Sequence, residues 1–297
     1  MTFQPPGFEQ RAIATPLGVM AYYTNLGTLP TPASPIPLIF LHSLGGGSSA
    51  YEWSRFYPAF AADHPIIAPD LVGWGQSTHP QRNYTPEDYF TQFAALLDAF
   101  PETPPVVFAS SLTAGLLVRF AIQQSDRLRL LVLVCPSGYS DFGESYAQGL
   151  SAQLVRIPGL DQGIYSLGAA NASAIRTFME RFLFAQPNRI TEEMVAAYLA
   201  SAEQPNAAYS ALASLRGDLC FDLTRYLPQL TVPTVMLWGE KAWFSTLSRG
   251  KRLASLNPKA IQGFHEIPDA GVLPHLEVPA RAIAPIQPYL NQIRAKD

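Results

Sequence analysis

The segment Val106 to Gly115, VVFASSLTAG, decides the fold of this chain. It begins with an apolar run typical of a strand buried on both faces, and from Leu112 its pattern is helical. The chain must therefore turn sharply at Ser110 and Ser111, which places a serine between a strand and a helix. Such a serine is either a helix N-cap or a nucleophile held on a tight turn, and the flanking sequence must distinguish the two.

Strand and helix patterns alternate on both sides of this segment. Continuous apolar strands separated by helices indicate a parallel sheet that helices cover on both faces. Two further β-like runs precede this region, near the N-terminus. The predicted strands are FEQRAIATP, VMAYYTNLG, IPLIFLH, PIIAPD, PVVFAS, RLLVLVCPSG, TVPTVMLWGE and KAIQGFHEIP, and the predicted helices span 51–62, 85–100, 112–124, 245–256 and 280–294.

The alternation stops between about Asp141 and Gln229, where the sequence is Ala-rich and helical. Thr191 is a good N-cap for the helix predicted in the segment ITEEMVAAYLASA, residues 190–202. An insertion of this length exceeds an ordinary connection between elements. We therefore predict a helical lid at residues 141–229, inserted in a core domain formed by residues 1–140 and 230–297.

Composition restricts the classes of partner. The 297 residues are 48% hydrophobic, carry a net charge of −3 and contain no run of Lys or Arg, which argues against nucleic acid and against a polybasic membrane surface. Cys135 and Cys220 have no metal-ligand spacing, so we expect no metal and no cofactor. No apolar run reaches the roughly 18 residues of a transmembrane helix, and no leader pattern is visible. These features predict a cytoplasmic protein that binds a small apolar or amphiphilic molecule.

Four motifs now stand in a recognisable order. They are LIFLHSLGGGSSAYEW at 38–53, PDLVGWGQS at 69–77, VVFASSLTAG at 106–115, and VPTVMLWGEKAW at 232–243 followed by IPDAGVLPHLEVP at 267–279. Together they resemble the α/β-hydrolase fold family, in its branch of small-molecule esterases, C–C hydrolases and haloalkane-dehalogenase-like enzymes. The resemblance covers nearly the whole chain. It implies a mostly parallel, eight-stranded α/β sheet flanked by helices, with a helical lid.

The resemblance also implies roles for individual residues. Ser111 takes the nucleophile position, and the backbone N–H groups of Leu44 and Leu112 form the oxyanion hole. Thr113 stands where the family usually has glycine, which makes the turn stiff and crowded. We expect His42 to be a structural loop residue. The pocket residues implied by these motifs are His42, Ser43, Trp74, Ser110, Ala242, Trp243 and Val272.

The two partners that would activate the serine are missing. A serine hydroxyl needs a histidine to accept its proton and a carboxylate to orient that histidine. The family's acid position holds Ala242 here, and its base position holds Val272. His275, three residues further on, is the candidate substitute base. Asp141 is the first candidate for a substitute acid.

Three functions remain open from the sequence. The first is a descendant of serine hydrolases that binds an apolar small molecule without ordinary triad catalysis. The second is an enzyme that uses the same pocket, either as a slow esterase with Ser111 and His275 or in a non-hydrolytic reaction such as an elimination or cyclisation. The third is an accessory or assembly protein that docks a protein partner through the lid.

Overall fold

A computed structural model describes residues 3–144, 165 and 170–295. Eight strands form one sheet in the order β1-β2-β4-β3-β5-β6-β7-β8. The first two are antiparallel to their neighbours, and all other neighbouring strands are parallel. The strands are β1 Glu9–Thr15, β2 Gly18–Thr24, β3 Leu38–Leu41, β4 Ile66–Pro69, β5 Val106–Ser110, β6 Leu130–Val134, β7 Thr234–Gly239 and β8 Ile261–Ile267.

The described helices follow the strands in the predicted alternation. Helix α1 begins with a capping box formed by Thr85 and Asp88, which satisfies backbone groups that the helix itself cannot. The helices are α1 Pro86–Ala99, α2 Ser111–Gln123, α3 Ala172–Phe178, α4 Glu192–Ala202, α5 Ala207–Arg216, α6 Leu247–Ala254, α7 Pro274–Glu277, α8 Pro279–Ile283 and α9 Gln287–Arg294. Among these described helices, none is both long and apolar enough to cross a membrane.

Two of the predicted helices are wrong in detail. Residues 51–62 contain two short 3₁₀ turns, Ala50–Trp53 and Tyr57–Phe60, in place of one α-helix. Pro58 removes a backbone donor there, which favours a short turn over a continuous helix. The predicted closing helix is divided into α8 and α9, with Pro285 and Pro288 in the sequence at the break.

The core is the central part of the sheet with the helices that cover it. Strands β3 to β7 are buried at every residue, as their continuous apolar sequences predict. An aromatic cluster joins the sheet to the 3₁₀ turns after β3, with the Phe40 and Phe108 rings stacked at 4.5 Å. Trp53 and Phe56 pack edge-on against Phe108.

The segment predicted as a lid lies between β6 and β7. Its described part holds α3, α4 and α5, and Thr191 caps α4 by accepting a hydrogen bond from the Met194 N–H, as predicted. Residues 145–164 and 166–169 of this segment lie outside the described residues. The lid boundary at 141–229 stays a prediction.

Candidate functional site

The turn between β5 and α2 carries Ser111 in a strained conformation. Ser111 has φ of +53°, a region that non-glycine residues seldom occupy. Strain of this kind persists only where the surrounding structure imposes it, and it is the geometry of a nucleophile turn at the end of a strand. An N-cap residue instead has an extended backbone, and Ser110 stands at that position with φ of −120°, although its side chain makes no capping hydrogen bond.

The hydroxyl of Ser111 pairs with a phenol. The distance between Ser111 Oγ and the Tyr139 hydroxyl is 2.9 Å. Tyr139 follows β6, which neighbours β5 in the sheet, so both residues lie at the carboxyl edge of the parallel strands. Sequence reasoning missed Tyr139, although its place in the PSGY turn directly after a buried strand was a usable signal.

Two backbone N–H groups belong to the turns around Ser111, those of Leu44 and Leu112. Leu44 lines the cavity beside Ser111, and Leu112 follows Ser111 in the first turn of α2. Neither N–H donates a hydrogen bond to another residue in the described ranges. The first N–H groups of a helix have no partner within the helix, which accounts for Leu112.

A buried carboxylate holds the loop that carries Leu44. Glu52 accepts hydrogen bonds from the Ser43 N–H and the Ser43 hydroxyl, both at 2.7 Å, and from the Tyr198 hydroxyl at 3.0 Å. Burial raises the pKa of Glu52, and these hydrogen bonds oppose the rise. Ser43 replaces a glycine that the family resemblance leads one to expect, and its hydroxyl is part of this support.

His42 serves the same loop. Its Nε2 accepts a hydrogen bond from the Leu71 N–H at 3.0 Å, so the ring proton is on Nδ1, which donates to the Ser43 carbonyl at 2.6 Å. Burial lowers the pKa of His42 to about 4. Both ring nitrogens are thus occupied by backbone groups, which matches the structural role expected from the sequence.

Thr113 connects the serine turn to the same loop. The sequence predicts a crowded turn at this β-branched residue, yet its side chain is fully buried and its hydroxyl donates to the His42 carbonyl at 2.7 Å. The threonine therefore supplies a hydrogen bond that a glycine could not make. This contact fixes the loop of Leu44 against the helix of Ser111.

Thr113→Val is expected to lower the free energy of unfolding by about 1 kcal/mol, because valine keeps the shape but leaves the His42 carbonyl without its donor. Thr113→Ser keeps the hydroxyl and serves as the control. Urea unfolding of both variants measures the difference. Equal stability of Thr113→Val and the wild type would show that the hydrogen bond contributes nothing.

The two positions that the resemblance assigns to the acid and the base hold apolar side chains. Val272 lines the cavity together with Ser111, where a base would be expected. Ala242 is buried in the turn after β7, and its N–H donates to the Gly239 carbonyl at 3.1 Å. Glu240, in the same turn, accepts from the Asp269 N–H at 2.9 Å. This turn therefore presents no carboxylate to a base at position 272.

His275 does not contact Ser111. Its ring stacks on Trp53 with the centroids 3.8 Å apart and the planes 21° from parallel. Neither ring nitrogen has a hydrogen-bond partner among the described residues, and burial lowers the pKa of His275 to about 3. This placement gives no support to His275 as a substitute base, because general-base catalysis requires hydrogen-bond reach to the serine.

Asp141 is also committed to the backbone. Its carboxylate accepts from the Ser137 hydroxyl at 2.7 Å, from the Leu223 N–H at 2.9 Å and from the Gly138 N–H at 3.1 Å. Burial raises the pKa of Asp141 against these hydrogen bonds. Asp141 therefore shapes the turn that presents Tyr139, and no histidine is among its recorded partners.

A cavity of about 780 Å³ opens above Ser111. Its walls are mostly apolar. The aromatic rings of Phe178, Phe182, Trp243 and Phe244 contact one another there, with centroid distances from 4.8 to 6.5 Å. The described lining comprises Ser43, Leu44, Gly45, Gly46, Ser111, Tyr139, Glu144, Tyr165, Ile175, Phe178, Phe182, Leu183, Ser214, Leu215, Trp243, Phe244, Thr246, Arg249, Val272 and Leu273.

Three of the predicted pocket residues line this cavity, namely Ser43, Trp243 and Val272. The other four, His42, Trp74, Ser110 and Ala242, do not. Trp74 is buried and donates to the Tyr89 hydroxyl at 3.2 Å, away from the cavity. Ser110 is fully buried at the end of β5, a strand that is covered on both faces.

Metal ligands are not grouped at this site. Within residues 3–144, 165 and 170–295, no three His, Cys, Asp or Glu side chains come together as a metal site requires. The polar groups that face the cavity are hydroxyls and one ion pair between Glu144 and Arg249.

Comparison with known proteins places these observations in a family. A model of the Alpha/beta hydrolase family matches residues 38–286. The chain is 26% identical over 219 residues to a soluble epoxide hydrolase from a Corynebacterium species. The aligned region covers 70% of this chain and 75% of that enzyme. It is 30% identical over 106 residues to a 2-hydroxymuconate semialdehyde hydrolase from a Pseudomonas species, covering 35% of this chain and only 38% of that enzyme.

Solved structures share the fold at lower identity. A carboxylesterase from Bacillus subtilis superimposes with a TM-score of 0.76 at 18% identity, over 97% of this chain and 93% of the other. The enol-lactonase from Burkholderia xenovorans LB400 superimposes with a TM-score of 0.74 at 16% identity, over 95% of this chain and 100% of the enol-lactonase chain. Since the family match spans most of the sheet and the serine turn, this protein belongs to the alpha/beta hydrolase family.

Proposed function

We propose that this protein binds an apolar or amphiphilic small molecule in the cavity above Ser111, and that it does not hydrolyse esters through a catalytic triad. The observation that carries the proposal is the pairing of Ser111 with the Tyr139 phenol inside a large apolar cavity. A phenol has an ordinary pKa near 10 and is a poor acceptor for the serine proton at neutral pH. Among the described residues, the serine therefore has no hydrogen-bond partner that could act as its base.

The size and chemistry of the cavity support a binding role. Small-molecule pockets usually measure about 300 to 1,000 Å³ and combine apolar walls with a few polar groups. The cavity here, at about 780 Å³, lies within that range. Two large apolar side chains at its wall are exposed, Trp243 at 61% and Leu215 at 38%, which suits the entry of an apolar ligand.

A non-hydrolytic enzyme is the second candidate. The unpaired N–H groups of Leu44 and Leu112, with the hydroxyls of Ser111 and Tyr139, supply donors that could polarise a ligand carbonyl without a base. The relatives named as hydrolases keep this candidate open, although a shared fold does not carry a reaction with it. Protein docking through the lid has less support: of its described large apolar side chains, Leu215 alone reaches 38% exposure, and it belongs to the cavity wall.

Binding of the neutral dye Nile red tests the proposal. We expect saturable binding to the wild type, seen as a rise and blue shift of dye fluorescence. Val272→Trp is expected to weaken binding at least about tenfold, because the larger side chain occupies part of the cavity volume that the dye needs. Leu256→Gln, a change at an exposed residue outside the lining, is the matched control and should bind as the wild type does.

Absence of saturable dye binding to the folded wild type would contradict the binding role. Equal affinity of Val272→Trp and Leu256→Gln would place the dye elsewhere. Circular dichroism of each variant establishes that the fold is retained before affinities are compared.

A further inference from the structure

Two charged side chains line the cavity among its described residues, and they pair with each other. Arg249 donates from Nη2 to the Glu144 carboxylate. All other described lining residues are apolar, aromatic, glycine or hydroxyl-bearing. Moving a guanidinium away from water costs free energy, so an arginine in such a wall needs an anion beside it. A purely apolar ligand would make no use of it.

The two partners differ in their access to water. The Arg249 side chain is 20% exposed, whereas the Glu144 side chain is 60% exposed. Glu144 can therefore return to water at little cost, because an ion pair with one well-solvated partner contributes little to stability. Arg249 cannot rehydrate as easily and still requires an anion. A ligand anion can take over the place of Glu144.

The surroundings of Arg249 also favour a negative group. Arg249 lies in the first turn of α6, and the N-cap Thr246 lines the cavity and accepts a hydrogen bond from the Arg249 N–H at 3.4 Å. The N-terminus of a helix carries partial positive charge. Arg252, on the same helix, lies over the ring of Phe142, two residues before Glu144, with its guanidinium carbon 3.9 Å from the ring centroid.

We propose that the ligand of this cavity is an amphiphile with one carboxylate, whose apolar body packs among the aromatic side chains and whose carboxylate replaces Glu144 on Arg249. The proposal rests on the binding function proposed above and names its ligand class. Arginine suits this role because its planar guanidinium can hold a carboxylate through two parallel hydrogen bonds. The aromatic rings of Phe178, Phe182 and Phe244 supply the apolar surface.

Displacement of Nile red by three probes of equal chain length tests the head group. The probes are dodecanoate and dodecyltrimethylammonium, each below its micellar concentration, and dodecanol, below its solubility limit. Wild type should release the dye at about tenfold lower dodecanoate than dodecanol, since a charge-assisted hydrogen bond strengthens binding by at least that factor. The ammonium probe should be the weakest.

The two halves of the ion pair should respond in opposite directions. Arg249→Gln should abolish the preference for dodecanoate over dodecanol, with each displacement corrected for the Nile red affinity of that variant. Glu144→Gln should strengthen dodecanoate binding, because it removes the competing carboxylate. If the Glu144–Arg249 ion pair only stabilised the structure, both variants would change the affinity for dodecanoate in the same direction.

Equal displacement by dodecanoate and dodecanol in the wild type would overturn the head-group inference and leave the binding function standing. A common shift in both variants would also overturn it. Loss of Nile red binding in the wild type would instead remove the binding function, and the head-group inference with it. Should Arg249→Gln fail to fold, the wild-type series and Glu144→Gln still decide the question.

Discussion

The double variant Val272→His with Ala242→Asp is expected to react with a fluorophosphonate probe at Ser111 at least about 100-fold faster than the wild type. A positioned base typically contributes a factor of about 10² to 10⁴ to such reactions. The wild type keeps the strained serine turn and the free Leu44 N–H but has valine and alanine at the two partner positions. The substitutions restore a base and a carboxylate to orient it.

Matched single variants separate the contributions. Val272→His alone should gain less than the pair, because an unoriented imidazole spends less time in the productive geometry and tautomer. Ala242→Asp alone should gain nothing. Adding Ser111→Ala to the double variant should abolish labelling, which places the reaction at that serine. Intact-mass spectrometry over a time course gives each rate.

The Tyr139 hydroxyl competes for the same serine, since it lies 2.9 Å from Ser111 Oγ. Adding Tyr139→Phe to the double variant should therefore free the serine for the new histidine and raise the rate further. Labelling of the wild type at the rate of the double variant would contradict the proposal. It would mean that another group already activates Ser111.

The variant His275→Phe is expected to remove the share of the protein's acid-induced loss of stability that comes from this one histidine. Burial holds the pKa of His275 at about 3, well below the ordinary value near 6.5 of an unfolded chain. As pH falls below 6.5, the unfolded chain takes up a proton that the folded chain does not. Stability from this group is complete above pH 6.5 and is lost as pH falls towards 3.

The expected magnitude at pH 5 is about 2 kcal/mol of unfolding free energy, from the shift of this one group. Phenylalanine keeps the stacking on Trp53 and has no ring nitrogen to protonate. Urea unfolding at pH 7 and pH 5 should therefore show a smaller pH effect in His275→Phe than in the wild type. His265→Phe is the control, because His265 is only partly buried and contacts the Tyr289 hydroxyl.

An identical pH effect in the wild type and in His275→Phe would mean that the folded protein protonates His275 as readily as the unfolded chain does. That result would reopen the sequence-based hypothesis that His275 acts as a base. The expected result argues against that hypothesis. Together, the labelling and unfolding experiments decide whether a histidine acts as a base for Ser111.

Much of the fold was predictable because local patterns agree with the tertiary arrangement. The continuous apolar strands at 106–110 and 130–134 lie side by side in a parallel sheet, as their sequences indicate. The capping residues Thr85 and Thr191 mark helix starts correctly. The strained serine position followed from one short segment, because a strand that turns directly into a helix leaves few conformations for the residue between them.

The sequence alone also carried the prediction about the acid and the base. Alanine at 242 and valine at 272 cannot accept a proton in any fold, so the prediction that the usual acid and base are missing needed no coordinates. Composition and the absence of basic runs are also properties of the residues themselves. They predicted a small-molecule ligand without any coordinates.

Only the tertiary structure decided which side chains meet around Ser111 and its cavity. The contacts of Ser111 with Tyr139, of Ser43 with Glu52, and of Glu144 with Arg249 join residues 28, 9 and 105 positions apart. His275 was a reasonable base by position, yet stacking on Trp53 occupies its ring. Side-chain partners across a fold depend on packing directions that short-range patterns do not encode, and the chemistry of this cavity resides in those partners.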